Sequence, residues 1–78
     1  MLTLKFIKDN ELAYSGNVIK VYVNAEKLGL IELQQGCANA MYKIKGTVKL
    51  ITNDNKEQLI ACNDAIVSVT ANSINIVE

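Results

Sequence analysis

Residues 47–77, TVKLITNDNKEQLIACNDAIVSVTANSINIV, decide the fold of this chain. Apolar and polar residues alternate in its short runs at 48–50, 67–69 and 74–76. A repeat of two places one side of a strand in a core and the other side toward water. Asn and Asp cluster between the runs, and both tolerate the left-handed backbone of tight turns. This stretch therefore predicts short antiparallel strands joined by turns.

The same pattern continues toward the N-terminus, at 2–6 and 19–24. Turns are predicted at 9–11, 15–17, 53–56, 63–64 and 71–73. Less regular segments are interpreted as a strand at 28–33 with a bulge at Gly29, a loop at 34–37, and a strand or helical turn at 38–42. The apolar run 59–62 predicts a strand buried on both faces. We therefore predict one all-β domain over residues 1–78, a small β-sandwich or flattened barrel of roughly eight to ten short, mostly antiparallel strands.

Composition excludes several classes of function. The 78 residues are 50% hydrophobic, which allows one core. Lys plus Arg equals Asp plus Glu at 8 each, and every basic residue is Lys. This balance argues against nucleic-acid and anionic-membrane partners. No apolar stretch approaches the roughly 18–20 residues of a membrane span, so direct membrane insertion is not expected.

Candidate catalytic and metal-binding residues are scarce. The chain has no His, which removes the commonest general base and metal ligand. Cys37 and Cys62 lie far apart, and we expect two buried or half-buried free thiols in a reducing cytoplasm. Glu26 and Glu32 are a possible carboxylate pair, but their polar surroundings favour a solvated surface. We therefore predict a protein without catalytic residues, metal or cofactor, and not an enzyme.

Several short motifs occur in an order that resembles a known family. Tyr14-Ser15-Gly16 is similar to an aromatic-Ser-Gly turn, and 44–46 (IKG) to Ile-Lys-Pro-Gly without its Pro. Segment 48–50 (VKL) resembles Ile-Arg-Ile, 65–69 (AIVSV) resembles Gly-Ile-Leu-Glu-Val, and 74–77 (INIV) resembles Val-Thr-Val-Leu. These motifs, with similar strands at 18–23 and 57–62, resemble the N-terminal β-sandwich domain of the epsilon subunit of rotary F-type ATP synthases.

Two departures from the family stand out. Leu28-Gly29-Leu30 keeps the family's Leu-Gly-apolar segment, but 34–38 (QQGCA) stands where the family has Pro-Gly-His-Ala-Pro. The sequence also ends at Glu78, without the two inhibitory helices with which the family usually continues. We expect from this a naturally short subunit.

The resemblance implies a non-catalytic central-stalk subunit of a proton-translocating ATP synthase, which couples c-ring rotation to the gamma shaft. Its expected partners are the gamma subunit and the c-ring, at the cytoplasmic face of the bacterial inner membrane, as a peripheral protein. The residues expected to face the c-ring are Glu26, Leu28, Glu32, Leu33, Gln34 and Gln35. The residues expected to face gamma are Ala38, Ala40, Met41 and Tyr42.

Two alternatives stay open at this point. The first is a stand-alone β-sandwich interaction module that binds peptides by strand addition at an open edge. The second is a lipoyl- or biotinyl-type carrier domain, because 39–43 (NAMYK) is similar to the biotin motif, with Lys43 as the modified residue. In that motif Met flanks the Lys directly, whereas here Tyr42 intervenes.

Overall fold

The computed structural model describes all 78 residues and contains strands, turns and loops but no helix. The strands are β1 (Leu2–Lys8), β2 (Glu11–Ala25), β3 (Gly29–Gln34), β4 (Ala40–Thr52), β5 (Glu57–Val69) and β6 (Ser73–Val77). The prediction of an all-β fold is confirmed.

Five of the strands close into a barrel. The sheet order is β1-β6-β5-β4-β2-β3, and an additional β1–β2 pairing closes the ring. β1 and β6 run parallel, whereas every other pair is antiparallel. β3 extends the sheet outside the barrel and pairs only with β2. Along one edge of the 15-residue β2, β1 therefore occupies the N-terminal half and β3 the C-terminal half.

The strands are fewer and longer than predicted, six rather than eight to ten. The predicted turn at 15–17 lies inside β2, where these residues pair with 3–5 of β1. The predicted turn at 63–64 lies inside β5, where Asp64 pairs with Lys45 and Cys62 pairs with Gly46. Asn63 is thereby an extra residue in the ladder, and such a bulge bends a strand without ending it. Polar residues inside a long strand can therefore resemble a turn in the sequence.

The backbone at the bulge in β5 is hydrogen-bonded to a side chain. The backbone N–H of Asn63 donates to a carboxylate oxygen of Glu78 at 3.0 Å. Opposite it, Gly46 has a φ of 86°, a conformation that residues with a Cβ rarely adopt. The bulge therefore keeps its hydrogen bonding although the regular ladder is interrupted.

Other predicted turns are confirmed. Asp9 and Asn10 form a two-residue hairpin between the paired Lys8 and Glu11, with φ of 51° and 63°. Positive φ at both central residues defines the turn type whose twist matches the flanking strands. Asn55, with a φ of 63°, lies in the turn from β4 to β5, and residues 70–72 connect β5 to β6.

The interior of the barrel is wholly apolar. A cluster of 16 buried residues fills it, and no polar or charged side chain is buried. Phe6, 0% exposed, is the largest of the fully buried side chains. The prediction of a doubly buried strand at 59–62 is wrong, because Leu59 is 64% exposed. No second layer covers the outside of the barrel, so each strand buries only one face.

Both cysteines are free thiols, as predicted. Cys62 is buried and donates to the carbonyl oxygen of Gly46, with 3.0 Å between sulfur and oxygen. Burial raises the pKa of the Cys62 thiol, because the thiolate loses hydration. Cys37 is half-buried in the loop between β3 and β4 and packs against the core.

Candidate interaction surface

A shallow groove lies between the β2–β3 turn and the start of β4. It has a volume of about 480 Å³, and its lining includes Glu26, Leu28, Met41 and Tyr42. Leu28 is 64% exposed and Met41 is 69% exposed, whereas Tyr42 is half-buried against the core. Exposed Met and Leu beside an aromatic ring are the side chains typical of protein interfaces. We name these four residues the groove cluster.

The local backbone explains why the groove forms. Ala25 pairs with Gly29, so residues 26–28 are a three-residue hairpin loop. Gly29 has a φ of 76°, which suits the left-handed position that closes such loops. The backbone N–H of Glu26 donates to the carbonyl oxygen of Lys43 at 2.8 Å and holds the loop against β4. The backbone of the groove is therefore held in place, and the Leu and Met side chains extend from it.

A polar network covers the outer face of the neighbouring strands. Glu32 on β3 accepts a hydrogen bond from the Tyr22 hydroxyl at 3.0 Å and pairs with the Lys20 ammonium at 3.0 Å. The ammonium of Lys49 lies 4.9 Å from the centre of the Tyr22 ring, and it pairs with Glu57 at 3.8 Å. These residues come from four strands, β3, β2, β4 and β5, and their charges are balanced within the network.

The network shifts the pKa values of Glu32 and Lys20. The hydrogen bond from Lys20, then that from Tyr22, holds the pKa of Glu32 below its usual value. The hydrogen bond to Glu32, together with its charge, raises the pKa of Lys20. Because the pKa of Glu32 is depressed, its contribution to stability is present above the ordinary carboxyl pKa and is lost as pH falls through the folded-state pKa.

Replacing Lys20 with Gln is expected to raise the pKa of Glu32 toward its ordinary value. The substitution removes the largest cause of the depression but leaves the Tyr22 hydrogen bond. An NMR titration of the Glu32 side-chain carboxyl carbon measures the change. Tyr22→Phe should produce a smaller rise, and a Glu32 pKa unchanged in both variants would contradict the network.

The structure separates the residues predicted to face the c-ring. Glu26 and Leu28 line the groove, whereas Glu32 is engaged in the polar network. Leu33 is 4% exposed and belongs to the core, so its side chain is not part of a contact surface. Gln34 ends β3, roughly 17 Å along the strand from Gly29 at about 3.3 Å per residue.

Gln35 lies beside the turn from β5 to β6. Its side-chain amide donates to the Asn72 side-chain oxygen at 3.4 Å, and the Gly36 N–H donates to the Ala71 carbonyl at 2.8 Å. The Gln-rich loop is therefore tied to this turn, and none of its residues lines the groove.

The residues predicted to face gamma divide in a similar way. Met41 and Tyr42 lie in the groove cluster. Ala40 begins β4 opposite Val69 and is half-buried, and Ala38 is exposed in the preceding loop. The structure thus brings two residues of each predicted set together in one groove.

Lys43 does not occupy the position expected of a carrier lysine. It lies within β4, directly opposite Ile66 of β5, and not on a hairpin turn. The carrier interpretation places the modified lysine on a hairpin, so the position of Lys43 gives it no support.

Sequence reasoning missed a row of apolar side chains on the outside of the barrel. Leu12, Ile7, Val77 and Ile66 are successive direct partners across β2, β1, β6 and β5. Leu12 is 57% exposed, Val77 51% and Ile66 45%. The available signal was adjacent apolar pairs such as 6–7, 66–67 and 76–77, because two neighbours in a strand point to opposite faces.

The structure contains neither a metal-binding cluster nor a membrane-spanning helix. No group of three or more His, Cys, Asp or Glu side chains is placed to hold a metal ion. Since the chain forms no helix, none is present that is long and apolar enough to cross a membrane.

Comparison with known proteins adds no relative. No family model matches the chain, and no curated protein is similar to it in sequence. The resemblance to the epsilon subunit therefore rests on the short motifs quoted above and on their order along the chain.

Proposed function

We propose that this chain is a non-catalytic, epsilon-type subunit in the central stalk of a proton-translocating F-type ATP synthase. The observation that supports a binding role is the groove cluster, where Leu28 and Met41 expose more than 60% of their surface beside a half-buried Tyr42. The partners, the gamma subunit and the c-ring, follow from the motif order and not from the groove itself. The proposal places the chain at the cytoplasmic face of the bacterial inner membrane, as a peripheral subunit.

The groove makes the proposed contacts more specific. Glu26 and Leu28, proposed for the ring, and Met41 and Tyr42, proposed for gamma, line one groove. We therefore propose that the two partners approach the subunit at adjoining sites. Leu33, Gln34 and Gln35 are left out of this proposal, since the first is in the core and the others lie at the far end of β3.

The barrel suits a mechanical role. Every strand of the closed ring has a hydrogen-bonded neighbour on each side over at least part of its length, and 47 backbone hydrogen bonds hold the chain together. Closure removes the free edges along which a sheet opens. A body of this kind transmits force between two contact surfaces with little deformation, as coupling between ring and shaft requires.

A pull-down from native membranes tests the proposal. The tagged full chain is expected to recover gamma and c subunits, identified by mass spectrometry, in amounts that scale with the bait. A chain that stays monomeric and never meets the membrane fraction would reject the synthase assignment. The tag belongs on a terminus away from the groove cluster.

A stand-alone interaction module is the second candidate. The free edge of β3 favours it, because an extended peptide adds to such an edge through backbone hydrogen bonds. Binding of one unrelated partner, sensitive to changes in β3 but not to changes at Leu28 or Met41, would favour this module over the synthase subunit.

A further inference from the structure

β3 is the strand with one edge unpaired along its whole length. It pairs with β2 alone, and outside that ladder no backbone group of residues 29–33 makes a hydrogen bond to another backbone group. In an antiparallel pair, successive residues direct their backbone groups alternately to the two edges. About half of the N–H and C=O groups of β3 are therefore open to another strand.

This edge lacks the usual protections against pairing. β3 reads GLIELQ, with no Lys or Pro, and its register with β2 runs without a bulge. Natural edge strands are commonly blunted by such features. Its one charge, on Glu32, is matched by Lys20, and the whole chain has a net charge of zero. Repulsion between two copies is therefore small.

The side chains of β3 restrict how two copies can pair. Ile31 and Leu33 pack toward the core, whereas Leu30, 73% exposed, and Glu32 face outward. In an antiparallel pair, residues directly opposite each other point to the same face of the sheet. In a symmetric pair of β3 strands, the two-fold axis must therefore set one residue opposite the same residue of the other copy. Only a two-fold axis at Ile31 or at Glu32 keeps five residues of β3 paired. An axis at Glu32 sets the two Glu32 carboxylates opposite each other, which is unfavourable.

We propose that β3 pairs antiparallel with β3 of a second copy, with the two-fold axis at Ile31. This register sets Leu30 of each copy opposite Glu32 of the other. The two Ile31 side chains lie opposite each other on the core-facing side of the sheet. The inference stands on the free edge and does not depend on the proposed synthase role. One six-residue strand pair is smaller than the roughly 1,200 Å² of a stable interface, so the dimer is reversible and weak.

Opposite charges at position 30 test both the dimer and its register. Leu30→Lys places an ammonium opposite Glu32 of the other copy, twice by symmetry, whereas Leu30→Glu places a like charge there. We expect Leu30→Lys to tighten the dimer and Leu30→Glu to weaken it, each by about 2- to 10-fold. Sedimentation velocity from about 10 µM to about 1 mM measures the dissociation constants.

The matched controls are Leu59→Lys and Leu59→Glu. Leu59 is 64% exposed but lies on β5, which β4 and β2 separate from β3 in the sheet, so neither change should alter pairing through the β3 edge. Circular dichroism checks that all variants are folded. The difference in affinity between the Leu30→Lys and Leu30→Glu variants should also shrink in about 1 M salt, where charges are screened.

The possible outcomes are distinct. Tightening by Leu30→Lys together with weakening by Leu30→Glu supports the proposed register. Equal weakening by both charges would indicate an apolar contact through Leu30 and overturn the register. A wild-type chain that stays monomeric throughout the concentration series would overturn the dimer itself, whatever the pull-down shows about gamma and the c-ring.

Discussion

Phe6→Ala is expected to remove a large part of the domain's free energy of unfolding, about 3–5 kcal/mol. Phe6 is 0% exposed at the centre of β1, the strand that closes the barrel through both β2 and β6. Truncating a buried Phe costs about 3–5 kcal/mol through lost burial and the cavity left behind. A domain of 78 residues has a total stability of only about 4–12 kcal/mol. Urea denaturation followed by circular dichroism measures the loss.

Phe6→Leu is the matched control. It keeps a branched apolar side chain at the same position, so a loss of about 1–1.5 kcal/mol is expected, with cooperative unfolding retained. If Phe6→Ala unfolded at the same urea concentration as the wild type, the central place of Phe6 in the core would be wrong.

The fold class followed from sequence because the alternation of apolar and polar residues is local. The core positions of 2–6 and 74–76 are the apolar members of that alternation, and the structure buries them. Strand lengths did not follow, since a cluster such as Asn63-Asp64 suits a turn and a bulge equally. Only pairing with β4 decides between the two, and that pairing joins residues distant in sequence.

The residues of the groove cluster could be selected from the sequence, but their placement together in one groove could not be predicted. Exposed Leu28 and Met41 each stood out in the sequence, and the resemblance assigned them to different partners. They meet because the Glu26 N–H bonds to the Lys43 carbonyl across two strands, a contact that no local pattern specifies. The burial of Leu33 has the same origin, because the direction of β3 side chains is set by its register with β2.

Under the proposed synthase role, replacing both Leu28 and Met41 with Asp is expected to abolish capture of the gamma subunit and the c-ring while the barrel stays folded. Both side chains are more than 60% exposed, so their replacement removes little core packing. Where a side chain is a hot spot at the centre of an interface, its removal costs about 2 kcal/mol or more, and two new carboxylates add a desolvation cost. Affinity for the purified gamma subunit should therefore fall by at least about 30-fold.

Leu59→Asp distinguishes loss of the groove from a general effect of surface charge. Leu59 has the same 64% exposure as Leu28 but lies opposite Lys49, roughly 20 Å along β4 from Lys43 at about 3.3 Å per residue. The Leu59→Asp variant should bind gamma as the wild type does. Equal loss in the groove variant and in Leu59→Asp would mean that gamma does not recognise the groove cluster. Retained binding in both would move the gamma contact elsewhere. The next surface to alter would then be the outer row of Leu12, Ile7, Val77 and Ile66, because apolar side chains face outward there on four adjoining strands.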